Sequence, residues 1–417
     1  MSDRVPEGWI RIDLEDGVSE LISGQSPNRK ETPASGDAFG ILKTTAIDWG
    51  KFDESKNQEV LDDFNPNTKH LVKVDDILIT KAGPAHRVGV VALARNIRSN
   101  VLLSGKMTAI RVNEKLEPSF LAYALCQQDA QNHLKANTTG MASSQTNFTH
   151  DALLRVPILL PHISEQKKIA AILTSVDEVI ANTQKQIDKF QDLKKATMNE
   201  LLSKGIGHTE FKDSELGRIP KSWEVTKLNG LVTVDADSLK GNTDPDYKFK
   251  YIDISCVSTG EVKPPSQHIL FQDAPSRAKR IVKKNDVLVA TVRPNLKAFA
   301  HFDEEGEDWI ASTGFAVLQT KEKADSRFIY HVMLSDNVSR QIEKLVAGSN
   351  YPAINASDIK ELSVLAPPLL EQKKIASTLT SLDRTIKEKK RKLSQTQALK
   401  KSLMQDLLTG KVRVQVN

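Results

Sequence analysis

Two forty-residue segments of this chain are close copies of each other, and this repeat constrains the fold more than any other feature. Residues 165–204 and 371–410 align without a gap at an offset of 206 residues, and nearly half of the aligned positions are identical. A repeat period of about half the 417-residue chain indicates two large equivalent modules and excludes a solenoid of small repeats. We therefore expect two related domains.

Both copies are predicted to be long helices with a coiled-coil seam. Their apolar positions advance in alternating steps of about four and three residues, which is the spacing of helices that wrap around each other. Because the two registers match, we expect the helices to pair with each other; the alternative is that each helix packs only on its own domain. Polar residues recur in both seams at Thr183/Lys389 and Lys194/Lys400, where they would set the register. The residues expected to pair the helices or to contact partner subunits are Glu165, Gln166, Ile169, Leu173, Val176, Ile180, Glu371, Gln372, Ile375, Leu379, Leu382 and Ile386.

The rest of the chain contains two copies of a second unit, each opened by a Pro-x-x-Trp motif that ends at Trp9 or Trp223. Short β-branched runs broken by Gly, Pro and Asn predict strands, and residues 118–135 and 325–346 are predicted to be helical. Each unit is therefore expected to be α+β and about 150 residues long, a size typical of one domain. The parallel stretches are 72–80 with 281–289, 104–110 with 312–318, and 120–123 with 328–331.

Composition sets only loose limits on function. A net charge of +5 and a pI near 8.9 are compatible with a polyanionic partner. Cys126 and Cys256 lie in different halves among apolar residues, which is typical of reduced cysteines in a cytosolic protein. The sequence contains no apolar run of about 18 residues and does not begin with a signal peptide. We therefore expect a soluble cytoplasmic protein with no membrane partner.

The sequence offers little support for catalysis. It has no phosphate-binding loop of the GxxxxGK[ST] type and no Asn/Asp-Pro-Pro-aromatic motif for methyl transfer. Its histidines and cysteines show no metal-ligand spacing. Asp246, Glu261 and Lys263 superficially match a metal-dependent nuclease core. However, Pro264 would break the required strand, and the first half has no counterpart. We expect no catalytic residue, metal or cofactor in this chain.

The doubled arrangement resembles the specificity (S) subunit of type I restriction–modification enzymes. The signature P-x-x-x-EQ-x-x-IA occurs twice, at 161–170 and 367–376, and the Pro-x-x-Trp openings also match. His162 stands where the family commonly has proline. The resemblance implies two similar α/β target-recognition domains joined by two long helices in an antiparallel coiled coil, with pseudo-two-fold internal symmetry. The implied organisation is a recognition domain at 1–161, a spacer helix at 162–205, a linker at 206–220, a second recognition domain at 221–367, a second helix at 368–411 and a tail at 412–417.

The resemblance also implies a function. The two domains would read the halves of a split double-stranded DNA target, and the helices would set the separation between those halves. Two methyltransferase (M) subunits would methylate adenine, and restriction (R) subunits would translocate and cleave DNA. The cofactors S-adenosylmethionine, ATP and Mg²⁺ are then expected in the partner subunits, and this chain is expected to be non-catalytic.

Side chains that read bases must reach a groove, so loops that follow strands are the candidates. Arg and Asn are the side chains that pair bidentately with guanine and adenine edges. The predicted DNA-binding residues are Lys81, His86 and Arg87 in the first half, Arg293, Asn295 and Lys297 in the matching loop of the second half, and Asn350 and Tyr351. For any one of them, a solvated loop residue or a plain phosphate contact is the simpler interpretation.

Two other classes of function remain open from the residues. One is a stand-alone DNA nuclease or methyltransferase, which would show activity with DNA, divalent metal and S-adenosylmethionine. The other is a coiled-coil scaffold that binds proteins through two adaptor domains. Protection of a split DNA site would distinguish the specificity subunit from the scaffold.

Overall fold

The structure is a computed structural model that describes residues 5–61, 65–142, 144–348 and 352–415. The chain forms two compact units. The first unit contains Met1–Thr183 and Lys392–Asn417, and the second contains Gln184–Arg391. The division falls within both long helices, so each unit combines one α+β domain with the first half of one helix and the second half of the other.

The described residues of the first domain form fourteen strands and three short helices before the long helix. The strands are β1 (Ile10–Asp13), β2 (Val18–Ser23), β3 (Gly40–Leu42), β4 (Ile47–Asp48), β5 (Lys51–Phe52), β6 (Asn57–Glu59), β7 (Ile77–Thr80), β8 (Ala82–Gly83), β9 (Val91–Leu93), β10 (Val101–Leu102), β11 (Met107–Val112), β12 (Thr138–Ala142), β13 (Gln145–Phe148) and β14 (Pro157–Leu160). The helices are α1 (Pro118–Leu125), α2 (Gln128–Ala136), α3 (His150–Leu154) and the long α4 (Ile163–Lys204).

The described residues of the second domain form fourteen further strands in a similar but not identical order. The strands are β15 (Phe211–Ser214), β16 (Gly217–Pro220), β17 (Glu224–Lys227), β18 (Val232–Val234), β19 (Lys248–Ile252), β20 (Val257–Ser258), β21 (Glu261–Val262), β22 (Ile269–Leu270), β23 (Ala278–Val282), β24 (Val287–Ala290), β25 (Phe299–His301), β26 (Trp309–Ser312), β27 (Phe315–Thr320) and β28 (Ser363–Ala366). The helices are α5 (Ser326–Leu334), α6 (Asp336–Val346), α7 (Ala356–Lys360) and the long α8 (Leu369–Leu408).

A four-stranded sheet forms the centre of each domain. The strand order is β2-β11-β7-β9 in the first domain and β18-β27-β24-β25 in the second. The registers match as well, because Thr80 lies opposite Met107 and Ala290 lies opposite Phe315. Thr80 is therefore equivalent to Ala290, and Asp76 to Asp286, one residue further along than the sequence parallel of 72–80 with 281–289 had placed them. In both domains the strand before the long helix returns to pair with the strand near the start of the domain, β14 with β1 and β28 with β17. The sequence repeat is therefore also a repeat of sheet topology.

Strand β7 shows how the central sheet of the first domain is buried on both faces. Its side chains alternate between faces, as expected for a strand. Ile77 and Ile79 pack in one cluster with Leu121 and Leu125 of α1. Leu78 points to the other face and packs in a second cluster with Ile47. Burial on both faces explains the uninterrupted apolar run of this strand, and it leaves the loops at the strand ends as the exposed part.

Each predicted short helical segment is divided in two. Residues 118–135 form α1 and α2, and 325–346 form α5 and α6. In the second domain, Ser335 adopts an extended backbone and its hydroxyl caps α6 by accepting a hydrogen bond from the Val338 N–H. In the first domain, Gln127 is extended at the corresponding junction. The helical prediction for both segments is confirmed, and a turn near Gln127 or Ser335 divides each segment into two helices.

The residues on the predicted seam of the long helices are the less exposed ones. Every seam position from Ile169 to Leu201 and from Ile375 to Leu407 is buried or half-buried, whereas most positions between them are exposed. Both helices end before a glycine with a positive φ of 67°, Gly205 and Gly410, a conformation that glycine adopts without strain. No helix within the described ranges is both long enough and apolar enough to cross a bilayer.

Candidate DNA interface and helix anchors

The start of α4 is anchored to the first domain through Glu165. This carboxylate is only 5% exposed and accepts a hydrogen bond from the Trp9 indole N–H at 3.2 Å. Arg413, beyond the end of α8, donates to both carboxylate oxygens at 2.8 and 2.9 Å and also lies over the Trp9 ring. A bidentate guanidinium–carboxylate pair is among the stronger and more directional polar contacts in proteins. The tail that follows α8 therefore completes the anchor at the beginning of α4.

The second unit repeats this anchor with a histidine in place of the arginine. Glu371 accepts hydrogen bonds from the Trp223 indole at 2.9 Å and from the Ile206 backbone N–H at 2.9 Å, and it pairs with His208 at 2.8 Å. Burial alone would raise the pKa of Glu371, but these donors hold it below its usual value. The segment after α4, which contains Ile206 and His208, therefore has the same role in the second unit as the tail after α8 has in the first unit.

The glutamine that follows each glutamate also binds its own domain. Gln166 Oε1 accepts from the Glu117 N–H, and its Nε2 donates to the Lys115 carbonyl, both at 2.9 Å. Gln372 Oε1 accepts from the Asp325 N–H at 3.0 Å, and its Nε2 donates to the Lys323 carbonyl at 3.0 Å. The structure therefore gives Glu165, Gln166, Glu371 and Gln372 contacts that join a helix to its domain, although the sequence had grouped them with the helix-pairing residues.

The apolar seam residues of the helices divide into two groups. Ile169 and Leu173 are fully buried beside Leu407 and Leu408 of α8 and the Phe120 ring of the domain. In the second unit, Ile375 and Leu379 are fully buried in the domain core, against which Leu201 of α4 also packs. The other predicted seam residues are half-buried or, in one case, buried: Val176, Ile180, Leu382 and Ile386.

Two ion pairs connect the long helices, one in each unit. Lys400 of α8 lies 2.7 Å from Asp177 of α4, and Lys194 of α4 lies 2.5 Å from Asp383 of α8. In the first unit, residue 165 contacts residue 413 and residue 177 contacts residue 400, so the helices run in opposite directions. The second unit has the same antiparallel arrangement, because Ile206 contacts Glu371 and Lys194 contacts Asp383.

The predicted DNA-binding loop of the first domain lies directly after β7. His86 is exposed, and Lys81 is half-buried with its backbone N–H bonded to the Lys106 carbonyl at 2.9 Å. Arg87 points back into the domain, where its Nη2 donates to the carbonyls of Thr44 at 2.8 Å and Ile47 at 2.5 Å. His86 is thus free to meet a ligand, whereas the Arg87 guanidinium is already used to hold a neighbouring segment.

Lys81 also influences the interior behind the loop. His150 Nε2 lies 3.2 Å from the Ser23 hydroxyl and 3.1 Å from the Thr108 hydroxyl. Burial, and then the positive charge of Lys81, lower the pKa of His150 below its usual value. Both effects favour the neutral form of the imidazole beside these hydroxyls.

The matching loop of the second domain has a more constrained backbone. Arg293 and Lys297 both have φ of 50°, a left-handed conformation that is rare outside glycine, and they bracket a single 3₁₀ turn at Pro294–Leu296. Arg293 and Asn295 are exposed, and Lys297 is half-buried with its Nζ 3.4 Å from the Leu334 carbonyl. Asn350 and Tyr351 lie outside the described residues.

Sequence reasoning missed residues that the fold brings to the same edge. Lys106 is exposed in the turn before β11, and its backbone carbonyl accepts a hydrogen bond from the Lys81 N–H. In the second domain, the Arg277 carbonyl accepts from the Thr313 N–H at 2.8 Å, and the next residue, Gly314, accepts from Thr291 at 2.8 Å. Arg277 and Thr313 are exposed. The parallel of 104–110 with 312–318 was the available signal, since it placed these turns beside the predicted loops.

A polar hairpin also borders the first loop. Strand β13 pairs with β8, and Gln145 and Asn147 on this hairpin are exposed. In the second domain, an isolated β-bridge between Val292 and Ala353 joins the loop after β24 to the segment that is equivalent to this hairpin. The signal for the first-domain hairpin in the sequence was a run rich in Thr, Ser, Gln and Asn at residues 138–147. Each domain therefore presents a polar and basic edge built from loops that meet at the ends of its central sheet.

Within the described parts of the chain, no cluster of three or more His, Cys, Asp or Glu side chains could hold a metal ion. Of the loose nuclease pattern, the Glu261 carboxylate lies 3.8 Å from the Lys387 ammonium group.

These features define a class of protein in which two repeated domains with basic edges are each anchored to the start of a long helix. The sequence model of the type I restriction modification DNA specificity domain matches residues 6–191 and 220–396, and the chain belongs to this family, with the domain present twice. This match confirms the resemblance seen in the two helix signatures.

Three similar proteins carry the name of type I restriction enzyme specificity subunits. The chain is 27% identical over 421 residues to the MjaVIII specificity subunit of Methanocaldococcus jannaschii, covering 99% of this chain and 94% of the relative. It is 28% identical over 423 residues to the putative MjaX specificity subunit of the same organism, with coverage of 98% and 95%. A 189-residue match to the Escherichia coli EcoEI specificity subunit is 28% identical and covers 45% of this chain and 32% of the relative.

Solved structures show the same fold. The S subunit of a type I restriction–modification system from M. genitalium superposes with a TM-score of 0.62 at 17% identity, covering 98% of this chain and 97% of that one. A chain from a structure of the assembly and conformational transition of a type I system superposes with a TM-score of 0.53 at 16% identity, covering 99% and 100%.

Proposed function

We propose that this chain is the specificity subunit of a type I restriction–modification enzyme. It reads a split double-stranded DNA target and directs adenine methylation and cleavage by partner subunits. The observation that carries this proposal is the doubled DNA specificity domain, in which both copies anchor a long helix through the same Trp–Glu and Gln contacts. A protein that holds two such domains on paired helices suits a target with two separated halves.

The chemistry belongs to the partners in this proposal. Two M subunits supply methyl transfer with S-adenosylmethionine, and R subunits supply ATP- and Mg²⁺-dependent translocation and cleavage. The chain itself contributes no catalytic residue and acts in the cytoplasm. Its polar contacts to DNA come from the basic edge of each domain, with phosphate contacts setting position and base contacts setting sequence.

The experiment that tests the proposal is a map of methylated adenines in cells that carry the M subunits with and without this chain. We expect a single bipartite motif that disappears when the chain is absent. Replacing Arg293 and Asn295 with Ala should weaken recognition of one half of that motif only, by roughly 1–3 kcal/mol for each lost base contact. Replacing the exposed Lys360, on α7, with Ala is the matched control.

Two results would contradict the proposal. One is a methylation pattern that does not depend on this chain. The other is methyl transfer to DNA by the purified chain alone, which would place the catalytic centre here and favour a stand-alone methyltransferase.

A further inference from the structure

Leu296 is an unusually exposed apolar residue in the loop that follows β24. Its side chain is 64% exposed, and Val292 in the same loop is 44% exposed, whereas Pro294 between them is buried. Single exposed leucines are ordinary on protein surfaces. Leu296 differs from them because of its place in the fold, at the tip of the loop that carries the predicted base-reading residues of the second domain.

The backbone around Leu296 is held in a defined conformation. The Arg293 N–H donates to the Pro352 carbonyl at 2.8 Å, and the Lys297 N–H donates to the Pro294 carbonyl at 2.9 Å. The Thr259 hydroxyl donates to the Lys297 carbonyl at 2.7 Å. The left-handed residues at both ends of the turn cost conformational energy, and such strained positions concentrate at functional sites. The fold therefore maintains a strained turn that presents an apolar side chain to solvent.

The surroundings of Leu296 favour DNA over a protein as the ligand. Arg293 and Asn295 on the same loop are exposed, and Arg277 and Thr313 are exposed on the neighbouring turn. No acidic residue lies in the loop between Thr291 and Phe299. A cationic and amide-bearing edge complements the phosphates and the major-groove edges of base pairs. The thymine 5-methyl group is the apolar group that these edges present.

We propose that Leu296 reads a thymine in the second half-site by packing against its 5-methyl group in the major groove. This inference rests on the proposed function, and it assigns to Leu296 a base-specificity role beside Arg293 and Asn295. The first domain has Pro84, Ala85 and His86 at the tip of its equivalent loop and no bulky aliphatic side chain there. The reading of a methyl group by leucine is therefore specific to the second domain.

The test uses the complete chain in complex with its M subunits and duplexes that carry the methylated motif. Each thymine of both half-sites is replaced in turn by deoxyuridine, which lacks only the methyl group, and Kd is measured. One position in one half-site should bind ~4-fold more weakly as deoxyuridine, the amount expected for loss of one buried methyl group. The Leu296→Ala variant should bind the thymine and deoxyuridine duplexes equally at that position.

The control is Val74→Ala, which removes another exposed apolar side chain, 59% exposed, from the turn before β7 at the far end of that strand. This variant should keep the full deoxyuridine penalty. The inference is overturned if no deoxyuridine substitution weakens binding, or if Leu296→Ala keeps the penalty. A complex that binds no duplex with the motif would overturn the proposed function itself.

Discussion

The Asp177 carboxylate on α4 lies 2.7 Å from Lys400 Nζ on α8, and the equivalent residues Asp383 and Lys194 repeat the pair in the second unit. Both lysines are less than one-fifth exposed, so these charges meet in a partly desolvated seam. Asp177 also accepts a hydrogen bond from the Tyr123 hydroxyl at 2.8 Å. The ion pair thus links both helices to the first domain and favours one register over its neighbours.

We expect the charge of Lys400 to be needed for pairing of the helices. Lys400→Asp places a second carboxylate beside Asp177 and should lower the free energy of unfolding by about 1–3 kcal/mol, between the values of exposed and buried pairs. The double variant Asp177→Lys/Lys400→Asp should recover most of that loss. Urea unfolding measures the free energy of unfolding of both variants. The control is Lys401→Asp, at an exposed neighbouring position. An equal loss of stability in the control would show that the changed charge of the helix, and not the ion pair with Asp177, causes the effect.

The two helix anchors predict separate effects of Arg413 and His208. Arg413→Ala removes both guanidinium bonds to Glu165, so it should increase hydrogen exchange of the Trp9 indole N–H. His208→Ala should do the same for Trp223 and leave Trp9 unchanged. NMR of the indole protons follows the two sites in one sample. If either variant accelerates exchange at both tryptophans equally, the anchors are not local structures.

The anchor at Glu371 should also weaken in acid. Its pKa is held below the usual value in the folded chain, so its contribution is present above the unfolded pKa and is lost as pH falls through the folded pKa. Trp223 exchange should therefore rise as pH falls below about 4.5, which is the ordinary glutamate range, after correction for intrinsic exchange. Glu371→Gln, which cannot ionise, should show no such pH-dependent step.

Arg87 and His86 are adjacent but should have different roles. Arg87→Ala removes hydrogen bonds to the Thr44 and Ile47 carbonyls and to Asp48, so it should lower the free energy of unfolding by about 1–3 kcal/mol. His86→Ala should leave stability unchanged and weaken binding through the first half-site. Chemical unfolding and DNA affinity, measured on the same two variants, separate these effects. An unchanged stability of Arg87→Ala would return this residue to the candidates for base contact.

Asp286 should make the second domain less stable as pH rises. Burial raises its pKa to about 6, and the side chain is only 5% exposed. Between the unfolded value of 3.8 and about 6 the folded chain keeps a proton that the unfolded chain has released, so stability falls as pH increases. The equivalent Asp76 instead pairs with Arg111 at 2.7 Å, and Gln319 occupies the position of that arginine in the second domain.

The variant Asp286→Asn resembles the protonated form and should be more stable than the parent chain at neutral pH. Its advantage should be larger at about pH 7.5 than at about pH 5 by roughly 1–2 kcal/mol, since one pKa unit corresponds to about 1.4 kcal/mol. Urea unfolding at the two pH values measures the difference. Asp246→Asn, at an exposed aspartate, is the control. An advantage of equal size at both pH values would contradict the assignment to Asp286.

The candidate interface was only partly predictable from the sequence. A loop that follows a buried strand is exposed for local reasons, and this reasoning located His86, Arg293 and Asn295 on the surface. It could not show that Arg87 turns inward to Thr44, because that contact spans 43 residues of chain. Lys106 was missed for the same reason, since it reaches the edge of the site through its pairing with Lys81.

The doubled modules, the helical seam and the central strands could be predicted from residue patterns along the chain. Spacing along one element decides which face is buried, so the seam from Ile169 to Leu201 could be read without knowing its partner. The contacts of Glu165 and Glu371, by contrast, depend on how the whole domain folds. Identical Glu-Gln pairs open both helices, yet their partners lie 156 and 148 residues away at Trp9 and Trp223. Local periodicity carries no information on such distances along the chain, because the path of the backbone through the domain sets which residues meet.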